Sequence, residues 1–295
     1  MLWVFATLIA ASAQTARNAM QSSLTASLGT IGATQVRFLY GLPFAVLFLA
    51  VVVAATGSNV PTANAGFLAF TASGAVAQIF GTVLLLAAMR ERSFSVATAF
   101  TKTEAVQVAV FGLLILGDHL SLVRAGAIVV ATAGVFLIAV KAGEKWDRQS
   151  LRPALYGVAS GGLYAIAAIG FRGGILALDD GAYFMRATTT LVWSLALQTL
   201  LLGAWMVAFD RAGLRKSFAL WRQSLFAGFM GAFASQFWFL GFSLTAAANV
   251  RTLGLVEVLF AQVVSRQVFS QRASMRELSG MALVLAGVAA LLLSQ

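Results

Sequence analysis

The chain has 295 residues, of which 60% are hydrophobic and only 10% are charged, so it lacks the polar surface that a soluble domain of this size needs. It contains no Cys, which excludes thiolate and disulfide chemistry. Its net charge of +10 comes mostly from Lys and Arg in loops, so we expect no nucleic-acid partner. The composition predicts an all-α protein that crosses the lipid bilayer many times.

Ten apolar segments follow one another along the chain. Each is about 20 residues or longer, the length that a helix needs to cross a hydrocarbon core of about 30 Å. Clear breaks occur at 56–61 and 117–119, and the turn near 246–248 is very short. The predicted spans cover residues 2–26, 31–55, 65–89, 93–116, 121–140, 153–176, 181–208, 218–245, 248–269 and 275–293.

The first span carries a polar stripe. Thr7, Gln14, Arg17, Asn18 and Gln21 recur at the spacing of one helical face. Lipid does not accept such a face, because a charged side chain at depth costs several kcal/mol. The stripe either lines a substrate path, which we favour, or forms a structural hydrogen-bond network.

Span two begins near Arg37, and span seven begins near Arg186. Both arginines lie in the first turns of their spans, close to opposite surfaces of the bilayer. We expect both to snorkel to the interface.

Spans four and nine carry charges near their middle. Lys102 and Glu104 lie two positions apart on span four, so they point to different faces and each needs a partner elsewhere. Span nine contributes Arg251 and a second carboxylate, Glu257. These four groups either contact a charged or zwitterionic ligand, or carry a proton, or form fixed salt bridges between helices.

Spans three, six and eight add polar and aromatic candidates. Tyr164 lies on span six, Gln236 and Trp238 lie on span eight, and Gln78 of span three is a near counterpart of Gln236. An aromatic wall beside a few polar groups suits an aromatic or cationic ligand, whereas most other aromatics of span eight are expected to pack or face lipid.

Loop charge predicts the orientation. The loops after odd-numbered spans carry most of the Lys and Arg, whereas the opposite side carries only Arg124, Arg172 and Arg251. The positive-inside rule then places both termini in the periplasm and the protein in the cytoplasmic membrane of a bacterium.

The sequence also contains an internal repeat. Residues 32–37 (GATQVR) return as 181–186 (GAYFMR), residues 133–135 (AGV) return as 286–288, and at that same offset Glu104 falls on Glu257. Each unit holds five spans, and five is odd, so the second unit enters the membrane inverted. We predict two inverted five-helix repeats, 1–142 and 143–295, around a central cavity, which is the architecture of secondary transporters.

Signals of an enzyme are absent from the sequence. His119 is the only His, and no Gly-x-Ser-x-Gly, Walker-type or zinc-protease motif occurs. We therefore expect neither catalysis nor a cofactor or metal.

These features together resemble the drug/metabolite transporter superfamily, EamA type, and within it the YddG-like amino-acid exporters. The resemblance rests on two five-span units, on Lys102, Glu104 and Glu257, and on the Ala-Gly-Val near the end of each unit. It implies a basket of ten helices with a central cavity between helices 1, 3, 4, 6, 8 and 9. The first span departs from the small four-helix multidrug members, because it carries Arg17 and no acid.

The expected function is export of small metabolites, aromatic or neutral amino acids foremost, by alternating access of a monomer. The candidate substrate-binding residues are Gln14, Arg17, Asn18, Gln78, Lys102, Glu104, Tyr164, Gln236, Trp238, Arg251 and Glu257. The alternatives are multidrug efflux of hydrophobic or cationic compounds, a channel, and, least favoured, an intramembrane enzyme.

Overall fold

The computed structural model describes residues 1–91, 100–139, 148–260 and 274–294. In these ranges every regular element is a helix and no strand occurs. The helices are α1 (Leu2–Thr56), α2 (Ala65–Glu91), α3 (Glu104–Phe111), α4 (Leu122–Ala139), α5 (Arg148–Ala177), α6 (Tyr183–Phe209), α7 (Arg211–Ala219), α8 (Trp221–Leu244), α9 (Ala247–Leu253) and α10 (Met275–Leu293).

The described helices are those of a membrane protein. Six of them are long and apolar enough to cross a bilayer, and two shorter apolar helical stretches, Glu104–Leu116 and Leu122–Ile138, accompany them. The six are Ser23–Thr56, Ala65–Arg90, Leu151–Ala177, Tyr183–Phe209, Trp221–Leu244 and Met275–Leu293.

Three predicted breaks are confirmed. Gly57 ends α1 in the left-handed conformation (φ 63), and Gly117 (φ 66) ends a π-helical turn, Gly112–Leu116, that follows α3. Such positive φ values suit Gly, which has no Cβ to clash. Only two residues separate α8 from α9, which is the very short turn that the sequence indicates.

The predicted break between spans one and two is present, but it is shorter than the expected loop 27–30. The chain is helical on both sides of Gly29, whose φ of 70° and ψ of 177° form the whole break inside α1. The Gln21 side chain donates to Ala33 O across the break (3.0 Å), which ties the arm before Gly29 to the arm after it. A single glycine therefore replaces the expected four-residue loop (27–30).

Helix α7 was also not predicted as a separate element, since residues 209–217 were assigned to a loop and 218–220 to span eight. The Asp210 side chain accepts a hydrogen bond from Gly213 N (2.9 Å) and caps the N-terminus of α7. Lys216 on α7 donates to Ser27 O (3.4 Å), so α7 lies beside the break at Gly29.

Close backbone approach holds the helices together. The most extensive contacts join α1 to α8, α2 to α5, and α4 to α10. Between α4 and α10, a methyl group at Gly134 would lie 2.6 Å from Gly280 O and 2.7 Å from Val284 N. Small residues permit this proximity, which drives helix association in lipid.

The same contact recurs from the other helix of this pair. A methyl group at Gly287 would lie 2.7 Å from Ala127 O and 2.6 Å from Ala131 N. The spacing that carries Glu104 onto Glu257 carries each atom of the Gly134 contact onto its counterpart here. The α4–α10 contact is therefore reciprocal, as in an interface of two-fold symmetry.

Connections that follow even-numbered predicted spans contact one another, and so do connections that follow odd-numbered ones. On one side, Asn64, before α2, donates to Ala177 O at the end of α5 (2.6 Å). Arg172 of α5 pairs with Asp118 (3.1 Å) and donates to Thr245 O at the end of α8. These residues lie at, or within about one helical turn of, connections that follow even-numbered predicted spans, whereas Lys216 and Ser27 both lie at connections that follow odd-numbered ones.

Candidate functional site

A polar cavity lies between α1, α2, α5, α8, α9 and the segment around α3. Its free space is about 30 Å³, enough for about two water molecules, since one needs roughly 10–15 Å³. The lining residues are Gln14, Arg17, Asn18, Arg37, Gln78, Leu85, Thr101, Lys102, Glu104, Tyr164, Ser235, Trp238, Phe239 and Arg251. In this conformation the cavity is contracted around its charged groups.

Most of the charged side chains at the cavity lie on two helical segments, each interrupted by a short tighter turn. Both lie in predicted spans, 93–116 and 248–269, of which residues 93–99 and 261–269 lie outside the described residues. Regular helix stops at Lys102 and Thr103, where the backbone makes tighter bonds such as Ala105 N to Lys102 O (3.2 Å), and resumes at Glu104. A 3₁₀ turn at Gly254–Val256 interrupts the second segment directly before Glu257.

The two interruptions are counterparts. Each lies immediately before one glutamate of the repeated pair, Glu104 and Glu257. Irregular backbone at membrane depth is tolerated where protein buries it or where it borders a polar cavity. Both conditions apply here, since these glutamates are 6% and 3% exposed and lie among polar side chains.

Two ion pairs cross between the interrupted segments. Lys102 Nζ lies 2.6 Å from Glu257 Oε2, and Arg251 Nε lies 2.9 Å from Glu104 Oε1. The second pair is electrostatic rather than a well-aligned hydrogen bond, because the geometry at Arg251 Nε does not direct its hydrogen at the carboxylate. Each glutamate is thus neutralised by a cation of the other segment.

Glu257 collects further donors from α1. Gln14 Nε2 donates to Glu257 Oε2 (3.0 Å), and Asn18 Nδ2 donates to Glu257 Oε1 (3.3 Å). Trp238 Nε1 in turn donates to Gln14 Oε1 (2.9 Å). A carboxylate buried at this depth needs such a complete shell of donors.

Arg251 lies against aromatic rings. Its guanidinium carbon is 4.5 Å from the centre of the Trp238 ring and 5.2 Å from that of Phe242. This cation–π contact supplements the ion pair with Glu104. Gly254 makes room for the arrangement, because a Cβ there would lie 2.5 Å from the edge of the Trp238 ring.

Arg17 and Arg37 border the cavity, and no carboxylate among the described side chains forms an ion pair with either of them. Arg17 donates through Nε and Nη2 to Asn18 Oδ1 (3.2 and 2.6 Å). Arg37 donates through Nη1 to Thr82 Oγ1 (3.1 Å), and its Nε has no hydrogen-bond partner. Both arginines are only 3% exposed.

Thr82 links this part of the lining to α5. Its hydroxyl accepts from Tyr164 Oη (3.0 Å) and donates to Gln78 O (2.8 Å). The Gln78 side chain accepts from Gln198 Nε2 of α6 (2.7 Å). Tyr164 and Gln78 are thereby fixed in place beside Arg37.

The structure gathers most of the predicted site residues. Gln14, Arg17, Asn18, Gln78, Lys102, Glu104, Tyr164, Trp238 and Arg251 line the cavity, and Glu257 bonds to three of these residues. Gln236 lies apart from the lining, and its side chain donates to Thr188 Oγ1 of α6 (2.9 Å). Gln21 of the polar stripe also points elsewhere, toward Ala33 O.

Arg37 corrects a prediction, because snorkelling to the interface is incompatible with its 3% exposure. Arg186, its counterpart in the repeated sequence, is half-buried and does not line the cavity. The repeat made the two arginines look equivalent, and only the packing of α1 against α2 and α8 distinguishes them. In the sequence, the polar residue that could have indicated a buried partner for Arg37 is Thr82, one turn after Gln78 on α2.

No protein-family model matches the chain, and no curated protein matches it. Among solved structures, one described only as "Crystal structure of protein" is similar, with a TM-score of 0.70 and 12% identity. The alignment covers 99% of this chain and 95% of that one. At this identity the likeness concerns the fold alone, which the two proteins share over nearly their whole length.

Proposed function

We propose that the protein is a secondary transporter that moves small polar metabolites, amino acids foremost, across the cytoplasmic membrane by alternating access. In this proposal the chain forms ten spans, with the two arms of α1 as the first and second, arranged as inverted halves 1–142 and 143–295. It is a member of the EamA type of drug/metabolite transporters, working as a monomer with both termini in the periplasm.

One observation carries the proposal: at a buried polar cavity, two crossed ion pairs join the segment around Glu104 to the segment around Glu257. Inverted-repeat transporters place their substrate sites where the two halves meet, near the membrane midplane. The reciprocal contact around Gly134 and Gly287 supports the two-fold relation of the halves. The segregation of connections by parity supports the alternation of spans.

Two rigid halves can rock about such a site. The crossed pairs Lys102–Glu257 and Arg251–Glu104 join segments from both halves, so rearrangement of the halves must change these contacts. A substrate that replaces part of the pairing lowers the cost of that change. This couples solute binding to exposure of the site on either side of the membrane.

The chain's alternative functions differ in their kinetics. A channel equilibrates a solute without stimulation by the same solute on the far side, whereas alternating access gives saturable exchange. Efflux of cationic drugs requires a cavity with free acids, but each described acid at this cavity already has a cationic partner.

The test is counterflow in proteoliposomes. Vesicles loaded with one unlabelled amino acid from a panel should accumulate the labelled form transiently and saturably, with and without a pH gradient. Protein-free vesicles and Lys102→Gln protein are the controls, and the variant should exchange at least about tenfold more slowly because Glu257 loses its cation. Equilibration without overshoot for every solute tried would refute the proposal.

A further inference from the structure

We infer that the cavity is built for a net anionic substrate, whose carboxylate or phosphate group binds between Arg17 and Arg37. The inference rests on the proposed function, and it sharpens the expected substrate from neutral amino acids to small organic anions.

The first step is the charge of the lining. Four cations, Arg17, Arg37, Lys102 and Arg251, surround two carboxylates, those of Glu104 and Glu257. Each carboxylate is already engaged by its own cation. An excess of two positive charges remains, and protonation of either glutamate would enlarge it.

The second step is the proximity of Arg17 and Arg37, the two arginines of the lining that are not paired with Glu104 or Glu257. A Cβ on Gly231 would lie 3.3 Å from Arg37 Cγ and 3.7 Å from Arg17 Cδ, so both side chains pass the same point of α8. Both are buried, where like charges repel with little screening. Arginine does not lose its proton in proteins. Repulsion between them is therefore relieved by an anion rather than by neutralisation.

The third step concerns the other acids whose side chains the structure describes, among which Asp180 is exposed and Glu277 accepts from Ser274 N. Asp118 pairs with Arg172, Asp210 caps α7, and Asp179 accepts from Asn64. The sequence of 92–99 and of 261–273, which adjoin the interrupted segments, contains no Asp or Glu. Among the described side chains, none supplies a carboxylate to Arg17 or Arg37.

The fourth step is the chemistry of the missing partner. Arg37 Nε is buried at the cavity without a hydrogen-bond partner, and among the described residues the Arg17 guanidinium bonds only to the neutral amide of Asn18. Planar guanidinium groups match the paired oxygens of a carboxylate or phosphate. The nearby crossed ion pairs can accommodate a second polar group, such as a further carboxylate or an ammonium.

Binding measurements test the inference on purified, detergent-solubilised protein. Succinate, glutamate and glycerol phosphate, tried separately in low-salt buffer, should raise the midpoint of thermal unfolding, whereas leucine and lysine should not. Preference for succinate over glycerol phosphate would identify a carboxylate site, and the reverse preference a phosphate site. Equal stabilisation by leucine and by all three anions would overturn the inference.

Variants locate the binding group. Arg17→Gln and Arg37→Gln should each weaken anion affinity by at least about tenfold, and Arg37→Lys should weaken it less because the charge remains. The exposed Arg222→Gln is the matched control and should keep the anion response. Without anion, Arg37→Gln should be at least as stable as the native protein; a marked loss of stability would make Arg37 a structural residue and overturn the inference.

Counterflow separates this inference from the transport proposal. Exchange of anions in preference to neutral amino acids supports both. Exchange of neutral amino acids without anions leaves transport intact and overturns the anionic site. Anion binding without exchange of any solute supports the site and contradicts transport.

Discussion

Glu257 binds polar groups from two other parts of the molecule, α1 and the segment before α3. Lys102, Gln14 and Asn18 all donate to its two oxygens, and it is 3% exposed. Among the described residues Glu104 forms one ion pair, with Arg251, whose guanidinium also lies over the Trp238 ring. The two glutamates occupy equivalent positions in the repeated sequence but differ in how many groups depend on them.

Removing the charge of Glu257 should therefore be costly. Glu257→Gln leaves the Lys102 ammonium buried without a carboxylate, and breaking a buried pair from one side costs about 3–5 kcal/mol. The thermal midpoint of the purified protein should fall clearly, while Asp180→Asn, at an exposed turn, should leave it unchanged.

A double variant checks that the effect belongs to the pair. Lys102→Gln combined with Glu257→Gln should be more stable than the sum of the single changes implies, because neither charge is left alone. Additive losses would show that Lys102 and Glu257 do not depend on each other.

At the scale of elements, glycine determines how closely helices approach. Gly134→Ala on α4 should destabilise the protein by about 1–3 kcal/mol, because the new methyl group overlaps the backbone of α10. Gly287→Ala should cost a similar amount, since its contact is the counterpart. Unfolding of the detergent-solubilised variants measures both.

The same helix provides a control for that prediction. Gly126 on α4 has open space where a Cβ would be placed. Gly126→Ala should stabilise the protein slightly, by up to about 1 kcal/mol, because alanine favours helix more than glycine does. A similar loss at positions 126 and 134 would contradict the packing described here.

Some of these elements could be predicted from the sequence, and others could not. Hydrophobic length located the helices, and Gly57 and Gly117 located turns, because both signals are local. The break at Gly29 falls within the predicted loop 27–30, whereas the short turns at Lys102–Thr103 and Gly254–Val256 were not predicted, since no Pro marks either of them. Tertiary packing decides such positions.

The site was predicted unevenly for the same reason. The polar stripe and the repeated glutamates identified Gln14, Arg17 and Glu257 because a charge in an apolar span demands a partner. Arg37 was missed, since its place near the start of a span allows either snorkelling or burial. Which outcome holds depends on Thr82 and Gly231, and these belong to other helices.

At the scale of the whole molecule, the cavity connects the proposed halves. Its lining comes from α1 and from helices distributed over both halves, and its present free space of about 30 Å³ is too small for an amino acid. The proposed transport would therefore require the two proposed halves to separate on one side and then on the other.

Alternating exposure of one cavity residue tests the central claim most directly. Ser235 lines the cavity and is 5% exposed, and the native chain has no Cys, so Ser235→Cys introduces a single reactive site. Asn59→Cys and Arg215→Cys, both at exposed positions, serve as markers, since the proposed topology places them on opposite membrane faces.

In sealed vesicles, a membrane-impermeant thiol reagent should label the Ser235→Cys protein from either face, and a transported solute should change the ratio of the two rates. Each marker variant should react from one face only, the two from opposite faces. Labelling of the Ser235→Cys protein from one face alone, unaffected by any solute that exchanges in counterflow, would contradict alternating access.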